Sequence, residues 1–587
     1  MSIMFSVCFH MGLLLSLLQC GHQSCFTGTA SQCKEAEFLP GINLAGEGFD
    51  ITKLAQKGAF VIDLKQWKHK DNTCTLCINP FLEDKKQKLP LSVVDWRANQ
   101  KCQMKLSSST YRSSEALVTS SSSSVENNWK VNLDLEVKGR SGSLMLAGTN
   151  SKLAEYTMEK TKNDKFSFTS HSISCEYYSY RLAGRPKLNR DFYTALKELP
   201  KCYSPENKQR FYRVIDTFGT HYITKVKLGG SVKSVTSVRQ CQVSLQGLNM
   251  DEVQMCLDME ASASMAQSSL KSEAKHCKKD IQKSESKSSF SNLFNDRLTE
   301  ISGGKSTEPD ILFSNDPSAY KEWLGSLPQI PGIISYSLNP LHELLPTKNP
   351  TRKSLRSAIN HYILEKALWR NCSESCQVGI KRSQSEPCVC SCQGSPAVTP
   401  DCCPARKGMA RVVITVQRAS GLWGDHTTAT DGFVKVTFSG RDKRNTPVIY
   451  NNNNPHWGAV FDLGDQDVSG RPRVRFEVWD EDNKWDDDLL GECEKEVSRG
   501  VQEDVCNLQH GRLYFKWEVR CAPSLDGEFC TDYKPSPISQ HLQKVHVSRH
   551  AQHVPEAFLR ENGVFVGVSG RHDNQSAASP FSQYREM

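Results

Sequence analysis

The pentapeptide Phe218-Gly219-Thr220-His221-Tyr222 and the glycine pair Gly229-Gly230 lie close together in the first half of the chain. Taken alone, the pentapeptide is typical of a buried β-strand that contains one hydrogen-bonded histidine. Glycine tolerates backbone angles that other residues avoid, so the pair allows a strand to change direction. The rest of the chain must decide what kind of sheet this strand belongs to.

Length, charge and cysteine content set the outer limits of the fold. At 587 residues the chain exceeds what one hydrophobic core usually supports, so several domains are expected. The 73 Lys and Arg residues exceed the 65 Asp and Glu residues only mildly, which does not indicate nucleic-acid binding. The 23 cysteines favour an oxidising compartment and secretion. N-glycosylation sequons at Asn371 and Asn574 agree with that fate.

The N-terminus carries a short apolar run at residues 11–18, which has the length of a signal-peptide core and not of a membrane span. We therefore expect residues 1–24 to be removed as a signal peptide. Loss of Cys8 and Cys20 leaves an odd number of cysteines, so one thiol is expected to be free or to pair between molecules. Other segments fall short of the roughly 20 apolar residues of a spanning helix, so membrane insertion needs another device.

Residues 25–371 show the mixed patterns of one large α+β unit. Apolar and polar side chains alternate from Val131 to Val137, which predicts a half-buried strand. Apolar residues at helical spacing predict helices within 188–199 and 352–369.

Seven cysteines between Cys372 and Cys403 are dense enough for a disulfide knot or a metal cluster. We favour disulfides because the Cys-x2-Cys pairs of zinc sites are missing. Strand-like runs within 408–520 then predict a β-sandwich. The C-terminal extension, 521–587, ends in a segment rich in Ser, His and Gln, which predicts a mobile tail.

Two connectors of the expected sandwich concentrate carboxylates. The first contains Asp425 and Asp431, and the second contains Asp480, Asp482 and the run 486–488. Such oxygen ligands suit calcium, whereas the alternative is a solvated acidic turn. Each group directly follows a strand-like run, so the carboxylates are expected to gather at one end of the sandwich. This arrangement favours calcium. A tryptophan that could enter the lipid interface stands beside each group; these are Trp423 and Trp485.

The best candidate for a membrane-inserting strand lies upstream of the cysteine-rich segment. Apolar side chains alternate with polar ones over about the length of a tilted barrel strand. A polar stretch, 271–289, and the run 290–301 follow, as a tip and a returning strand would require. The alternative is an amphipathic strand or helix that never leaves the soluble fold. The apolar positions are Leu257, Met259, Ala261, Ala263 and Met265.

These features resemble the membrane-attack-complex/perforin (MACPF) family. Phe211 precedes the pentapeptide by the spacing of the family signature, although the family usually has Tyr or Trp there. The glycine pairs Gly229-Gly230 and Gly303-Gly304 match hinge glycines of the family. The resemblance implies an α+β MACPF domain whose bent antiparallel sheet is flanked by two helical clusters.

In that family the helical clusters unwind into β-hairpins, and many subunits close one large barrel. The matching regions here are about 140–172 and 257–302. A closed barrel satisfies every backbone polar group inside lipid, which answers the missing helical span.

The sandwich resembles a C2 domain, whose loops bind calcium and approach phospholipid headgroups. Asp480, Asp482 and Asp488 have the spacing of its second ligand loop. The resemblance leaves open whether Asp486 or Asp487 joins the calcium shell. The implied ligands are Asp425, Asp431, Asp480, Asp482, Asp487 and Asp488.

By the same resemblance, residues 372–407 are an epidermal-growth-factor-like module between the MACPF domain and the C2 domain, 408–520. Cys202 has no evident counterpart and is the candidate for the odd thiol. Spacing alone does not give disulfide connectivity. The pairs implied by the resemblance are Cys25 with Cys77, Cys33 with Cys74, Cys102 with Cys175, Cys493 with Cys506, and Cys521 with Cys530.

The resemblance implies a cytolytic effector of killer lymphocytes, stored in secretory granules, that forms transmembrane pores in target-cell or endosomal membranes. Its partners would be phospholipid, Ca²⁺, further copies of the chain and granule serine proteases that pass through the pore. Nucleic acid is not expected. Because protons compete with calcium for carboxylates, acidic storage should hold the protein off membranes.

Three other classes of protein are alternatives. An enzyme is not expected, because the sequence has no nucleophile elbow, His342-Glu343 lacks the second zinc histidine, and residues 304–306 lack the earlier phosphate-loop glycine. A terminal complement component would carry other cysteine-rich modules. A non-lytic calcium-dependent membrane-tethering or adhesion protein is the more serious alternative, because docking and perforation are separable.

Overall fold

The computed structural model of the protein describes most of the chain from Cys25 onwards. The signal segment, Asn574, Asp425, Trp485 and Asp486 lie outside the described residues. The described residues are 25–123, 129–135, 144–265, 277, 289–306, 308–314, 316–372, 376, 379–381, 388–424, 428–482 and 487–566.

The N-terminal domain contains twelve strands and ten α-helices among the described residues. The strands are β1 (Cys25–Gly28), β2 (Glu47–Asp50), β3 (Ala55–Phe60), β4 (Cys74–Asn79), β5 (Lys85–Lys88), β6 (Val93–Tyr111), β7 (Leu144–Met145), β8 (Phe166–Leu182), β9 (His221–Arg239), β10 (Arg297–Ser302), β11 (Gly332–Pro340) and β12 (Leu368–Arg370). The helices are α1 (Ala30–Glu35), α2 (Ser114–Ser123), α3 (Lys152–Asn163), α4 (Arg190–Lys197), α5 (Lys208–Phe218), α6 (Gln240–Leu245), α7 (Met250–Ser264), α8 (Phe290–Leu293), α9 (Pro317–Ser326) and α10 (Thr351–Glu365).

A seven-stranded antiparallel sheet forms the centre of this domain, in the order β3-β2-β9-β8-β6, with β10 and β11 also paired to β9. The long strand β9 fits this central place because it buries apolar side chains at even spacing. Val226, Leu228 and Val232, which are two and four positions apart, are fully buried. The α+β architecture expected from the sequence is confirmed, and α4 lies within the first predicted helical segment. α10 begins one residue before the second predicted segment and ends at Glu365, because Leu368 and Trp369 belong to β12.

The predicted strand from Val131 to Val137 is wrong over its described part. Residues 129–135 form turns and irregular backbone. Asn132 adopts a positive φ of 61°, and the amide of Leu133 donates to the carbonyl of Lys130 (3.1 Å), which closes a turn. Residues 136 and 137 lie outside the described part of the chain.

The alternating residues from Leu257 to Met265 form a helix in this structure and not a strand. Asn249 and Glu252 make a reciprocal capping box at the start of α7, which fixes where the helix begins. Leu257, Ala261 and Met265 are buried one turn apart, whereas Met259 is half-buried and Ala263 is exposed. Ala and Met are good helix formers, so an alternating pattern made of them does not exclude a helix.

The predicted returning strand, 290–301, is divided between two elements. Residues 290–293 form α8, and β10 is already paired with β9 in the central sheet. The structure therefore places the end of this segment in the sheet and its beginning among the helices.

The C-terminal sandwich consists of two four-stranded antiparallel sheets, in the orders β18-β15-β22-β21 and β17-β16-β19-β20. Its core includes Phe476 and Phe515, whose ring centres are 4.3 Å apart. The strands are β15 (Met409–Ser420), β16 (Gly432–Phe438), β17 (Asp442–Asn445), β18 (His456–Asp467), β19 (Arg473–Asp480), β20 (Asp488–Glu496), β21 (Gly500–Asn507) and β22 (Arg512–Cys521). The short strands β13 (Ile380–Lys381) and β14 (Cys390–Ser391) pair in the cysteine-rich segment before it.

The expected mobile tail is wrong for residues up to 566. Beyond the sandwich follow β23 (Leu525–Asp526), β24 (Asp532–Tyr533), α11 (Gln540–Gln543), β25 (Ala551–His553) and α12 (Glu556–Glu561). β25 pairs with β12 of the N-terminal domain, and Ala551, Val554 and Leu559 are buried there. These short elements have too few turns to produce a periodic pattern in the sequence. Residues 567–587 lie outside the described residues.

Ten disulfides join the described cysteines, and all five pairs implied by the family resemblance are bonded. Cys202 is free and exposed. The cysteine-rich segment contains three internal bonds, and Cys403 is bonded to Cys241 of α6. Across the described residues, none of the helices has the length and apolar character needed to cross a membrane.

Candidate functional site

The signature residues Thr220 and His221 lie at the start of β9 and are completely buried. Nε2 of His221 is 2.8 Å from the carbonyl oxygen of Trp129, and Nδ1 is 2.7 Å from the Thr220 hydroxyl. A carbonyl only accepts, so Nε2 carries a proton. Burial lowers the pKa of His221 to about 4, so the ring is neutral at pH 7 and Nδ1 accepts from the Thr220 hydroxyl. This histidine connects the sheet to the segment around Trp129, and the pentapeptide therefore has a structural role.

The four predicted hinge glycines meet where β10 and β11 adjoin each other along β9. Gly229 pairs with Gly332 of β11, and the next pair along β9 is Ser231 with Ser302 of β10. A Cβ atom on Gly229 would lie 1.9 Å from the carbonyl oxygen of Cys175. Gly303 has a φ of 74°, and a Cβ atom there would lie 2.2 Å from the carbonyl oxygen of Gly229.

The other two predicted hinge glycines contact the side chains of Trp323 of α9 and of Leu327, which follows that helix. A Cβ atom on Gly230 would overlap Leu327 and Trp323, and one on Gly304 would overlap Trp323. The indole nitrogen of Trp323 donates to the carbonyl of Gly303 (2.9 Å). Glycine is thus required at this junction by close backbone approach as well as by backbone angle.

Each of two helical clusters connects strands that are neighbours in the central sheet. The first cluster, defined as α2 and α3, lies between the end of β6 and the start of β8, where Tyr111 pairs with Phe168. The second cluster, defined as α6, α7 and α8, lies between the end of β9 and the start of β10, where Thr236 pairs with Arg297. Unwinding either cluster would therefore extend two strands that are already paired.

The second cluster is held on the sheet by polar contacts. Asp258 of α7 contacts His171 of β8 and accepts a hydrogen bond from Ser108 of β6. Gln254, one turn earlier, contacts Thr110. These side chains face the sheet from the same helix that buries Leu257 and Ala261.

Within the second cluster, Glu260 binds the start of α8. Its two carboxylate oxygens accept from the amides of Phe290 and Ser291, each at 2.8 Å. The disulfide between Cys256 and Cys277 lies in the same cluster, and both residues are fully buried. The cluster is therefore cross-linked internally and attached to the sheet by separate, polar contacts.

The first cluster contacts the C-terminal extension. Ser114 of α2 and Thr161 of α3 are linked through their hydroxyl groups (3.1 Å). The amide of Ile538 donates to the carbonyl of Lys162 (3.0 Å). Phe166 and Phe168, which start β8, are buried beside these helices. Of the expected region 140–172, residues 140–143 lie outside the described residues.

The aspartate end of the sandwich is formed where β16, β19 and β20 begin or end. Asp480 pairs with Gly432 on one side and with Asp488 on the other. Its Oδ1 accepts from the amide of Asp431 (2.6 Å), and the carboxylate of Asp431 accepts from the amide of Asn451 (2.7 Å). Asp480 is buried, whereas Asp482, Asp487 and Asp488 are exposed.

The donor set of this end has the chemistry that calcium requires. Its groups are carboxylates from neighbouring strand ends, and the first loop lies directly on Asp480, since a Cβ atom on Gly424 would be 1.8 Å from its Oδ2. Within the described ranges, no three His, Cys, Asp or Glu side chains are close enough together to hold a metal ion. Asp425, one of the six expected ligands, lies outside those ranges.

Of the predicted membrane-contacting tryptophans and glycosylated asparagines, only Trp423 and Asn371 belong to the described residues. Trp423 is 46% exposed beside the aspartate end, with its ring 5.1 Å from that of His510. Asn371 follows β12 and is half-buried, and its backbone amide donates to the carbonyl of His550 (2.8 Å).

Some residues of the sites were not predicted from the sequence. Asn451 and Tyr450 lie at the aspartate end, where Tyr450 donates to Glu481 (3.0 Å). The asparagine run 451–454 was a visible signal of a third loop. The bonds of Cys241 and Cys256 were not predicted, because spacing alone does not give disulfide connectivity.

Comparisons with known proteins agree with this architecture. The MAC/Perforin domain model matches residues 38–371, the model described as Perforin-1-like, EGF domain matches 371–405, and the C2 domain model matches 410–517. Perforin-1 of Mus musculus is 39% identical over 537 residues, which cover 90% of this chain and 97% of that protein. Perforin-1 of Homo sapiens is 39% identical over 521 residues, covering 88% and 94%.

Among solved structures, one titled "Structure of a C2 domain" is 30% identical and has a TM-score of 0.17, covering 19% of this chain and 98% of that chain. The domain matches and the identity over nine-tenths of the chain show the family. The chain belongs to the perforin family of membrane-binding, pore-forming cytolytic proteins.

Proposed function

We propose that the protein binds phospholipid in a calcium-dependent way through the aspartate end of its C2 domain, assembles with further copies, and opens both helical clusters into β-hairpins that form a pore. The observation that carries this proposal is the position of the two helical clusters between strands of the central sheet. Each one joins two strands that are already paired in the central sheet, so each can be converted into a continuation of that pair.

Docking uses the carboxylates and the apolar side chains of one end of the sandwich. When bound, calcium supplies positive charge that neutralises the carboxylates and attracts lipid phosphate. Asp431 and Asp480 hold their carboxylates in place through backbone amides. Trp423 and Leu489, which are 46% and 40% exposed, are positioned to enter the lipid interface. The ligand set is Asp425, Asp431, Asp480, Asp482, Asp487 and Asp488, with Trp485 as the second aromatic contact.

Perforation uses the glycine junction and the second cluster. Gly229, Gly230, Gly303 and Gly304 allow the strands to change their angles as neighbouring copies pair. α7 must leave His171 and Ser108 before its residues can extend. The inserting strand contains Leu257, Met259, Ala261, Ala263 and Met265, whose alternation suits one lipid face and one water face.

A purely tethering role is not favoured, because the MACPF match extends over the whole perforating part. In the proposal the protein is secreted, glycosylated at Asn371 and Asn574, and stored in acidic cytolytic granules. Granule serine proteases pass through the pore in a target-cell or endosomal membrane. Protons compete with calcium for its ligands in such a granule, which keeps the protein from docking prematurely.

Dye release from phosphatidylcholine vesicles tests the proposal. The protein should release dye with calcium and not with a chelator. Asp431→Asn should weaken calcium-dependent binding by about tenfold or more, since it removes charge from the ligand set. Asp442→Asn, at the opposite end of β16, is the matched control and should bind normally. Binding without dye release at high protein density would contradict the pore.

A further inference from the structure

The disulfide between Cys256 and Cys277 joins two residues that are 21 positions apart in the sequence. Both belong to the second cluster, which the proposed function converts into a hairpin. A disulfide limits its two Cα atoms to about 4–7 Å, and here they are 5.6 Å apart. The bond therefore restricts which hairpins this segment can form.

The restriction can be compared with the register of the strands that flank the cluster. In every pair between β9 and β10 the two residue numbers add up to 533, as for Thr236 with Arg297 and Ser231 with Ser302. This pairing contains no bulge or shift. The residue numbers of Cys256 and Cys277 also add up to 533. If β9 and β10 are extended in register, these two cysteines become direct cross-strand neighbours.

The same register sorts the side chains between the cysteines. Two strands of a hairpin alternate between faces, so the register decides which residues of the two strands share a face. In the sequence from 257 to 276, all five Asp, Glu and Lys residues then fall on one face: Asp258, Glu260, Lys271, Glu273 and Lys275. The other face carries Leu257, Met259, Ala261, Ala263, Met265, Ser268, Leu270, Ser272, Ala274 and His276.

This division matches the requirements of a hairpin in a membrane. Each strand between the cysteines has about the 9 to 11 residues that a tilted strand needs to cross the hydrocarbon core. Charged residues on one face suit water, and the largely apolar face suits lipid. In this register Cys256 and Cys277 would lie on the water face, and the tip would fall at Ala266 and Gln267, which lie outside the described residues.

We infer that the Cys256–Cys277 disulfide sets the register of the inserting hairpin and remains intact in the pore, with residues 268–276 as the returning strand. This inference rests on the proposed function and replaces the returning strand that was expected from the sequence. The strand that returns through the membrane is not 290–301, whose last residues already pair with β9. The two cysteines are positioning residues, since they act through the strands that they align.

The competing idea is that the bond blocks insertion. A hairpin with its tip in the polar stretch 271–289 would separate Cys256 from Cys277 by up to about 70 Å of extended strand, at roughly 3.3 Å per residue. Such a hairpin would require two electrons from a thiol reductant to open the bond before insertion. The two ideas therefore predict opposite redox states for the same cysteines in the pore.

Disulfide mapping of the wild-type pore decides between them without any variant. Pores formed with calcium on phosphatidylcholine vesicles are treated with an alkylating reagent, digested and examined by mass spectrometry. The Cys256–Cys277 peptide should be recovered to the same extent as from the soluble protein. Alkylated Cys256 and Cys277 in leaking vesicles would overturn the inference. Absence of leakage by the wild-type protein would instead count against the proposed function.

Cross-linking tests the register itself. The test uses a Cys256→Ser, Cys277→Ser background. The residue numbers of the pair Glu260→Cys with Glu273→Cys also add up to 533, whereas in the pair Glu260→Cys with Lys275→Cys the second cysteine is displaced from that register by two residues. Mild oxidation on vesicles should cross-link the first pair and leave the second largely open. Preferential cross-linking of the displaced pair would overturn the register. If the Ser background does not fold, the mapping experiment alone decides.

Discussion

His171 of β8 and Asp258 of α7 contact each other across the boundary between the central sheet and the helix that leaves it in the proposed function, with 2.9 Å between Nε2 and Oδ1. The histidine side chain is completely buried, whereas 33% of the aspartate side chain is exposed. Ser108 Oγ donates to the other carboxylate oxygen of Asp258 (2.9 Å). One carboxylate thus connects α7 to two strands.

Removing this carboxylate should make α7 easier to release. Asp258→Asn replaces charged contacts by neutral ones, and we expect a loss of about 1–3 kcal/mol in the local stability of the second cluster. Dye release should then begin at lower protein concentration or after a shorter delay, with unchanged vesicle binding. Asp251→Asn, at an exposed position of the same helix, is the control. Slower release by Asp258→Asn would contradict this role.

The buried His221 should make the N-terminal domain less stable at acidic pH. Its pKa in the folded protein is lowered to about 4, so between about pH 6.5 and 4 the unfolded chain binds more protons than the folded one. The stability contributed by the neutral ring is therefore complete above about pH 6.5 and is lost as the pH falls towards 4. At pH 5 the loss is about 2 kcal/mol.

Urea unfolding at pH 7 and pH 5 checks this prediction. His221→Gln removes the titrating ring, so its stability should fall by about 2 kcal/mol less than that of the wild type over this interval. The exposed His456→Gln on β18 should behave as the wild type. An identical pH dependence of His221→Gln and the wild type would show that this histidine does not titrate as described.

The glycine junction should be intolerant of any side chain. Gly303→Ala combines a positive φ with overlap of two backbone atoms, and we expect a loss of about 2–4 kcal/mol in the free energy of unfolding. Gly325→Ala is the matched control, because an added Cβ atom meets nothing within 4 Å and the position is helical. That control should be neutral or more stable by about 0.5–1 kcal/mol. Equal stability of both variants would contradict the close packing of the junction.

Much of the architecture could be predicted from local patterns. The helices α4 and α10 have apolar residues at helical spacing, and the sandwich strands alternate clearly, because each packs one face on a single core. The aspartate connectors were expected at one end of the sandwich, and Asp480 and Asp488 do lie on adjacent strands there. Such features depend on neighbours in the sequence or in a regular sheet.

Other features depend on contacts that no local pattern contains. The segment from Leu257 to Met265 alternates like a strand, yet the cap at Asn249 and the sheet beneath it hold a helix. A turn with a positive φ at Asn132 lies where the sequence predicted a strand. β25 is stabilised by pairing with β12, almost two hundred residues earlier, so its three residues gave no signal of their own.

The central claim, that α7 leaves the sheet to form the pore, is tested most directly by locking it in place. Ser108→Cys with Asp258→Cys puts two cysteines where the side chains now touch. The oxidised variant should bind calcium-treated vesicles normally and release no dye, and reduction of the new bond should restore release. The single variants, and the wild type in the same reductant, are the controls. Full dye release by the oxidised, cross-linked protein would contradict the account.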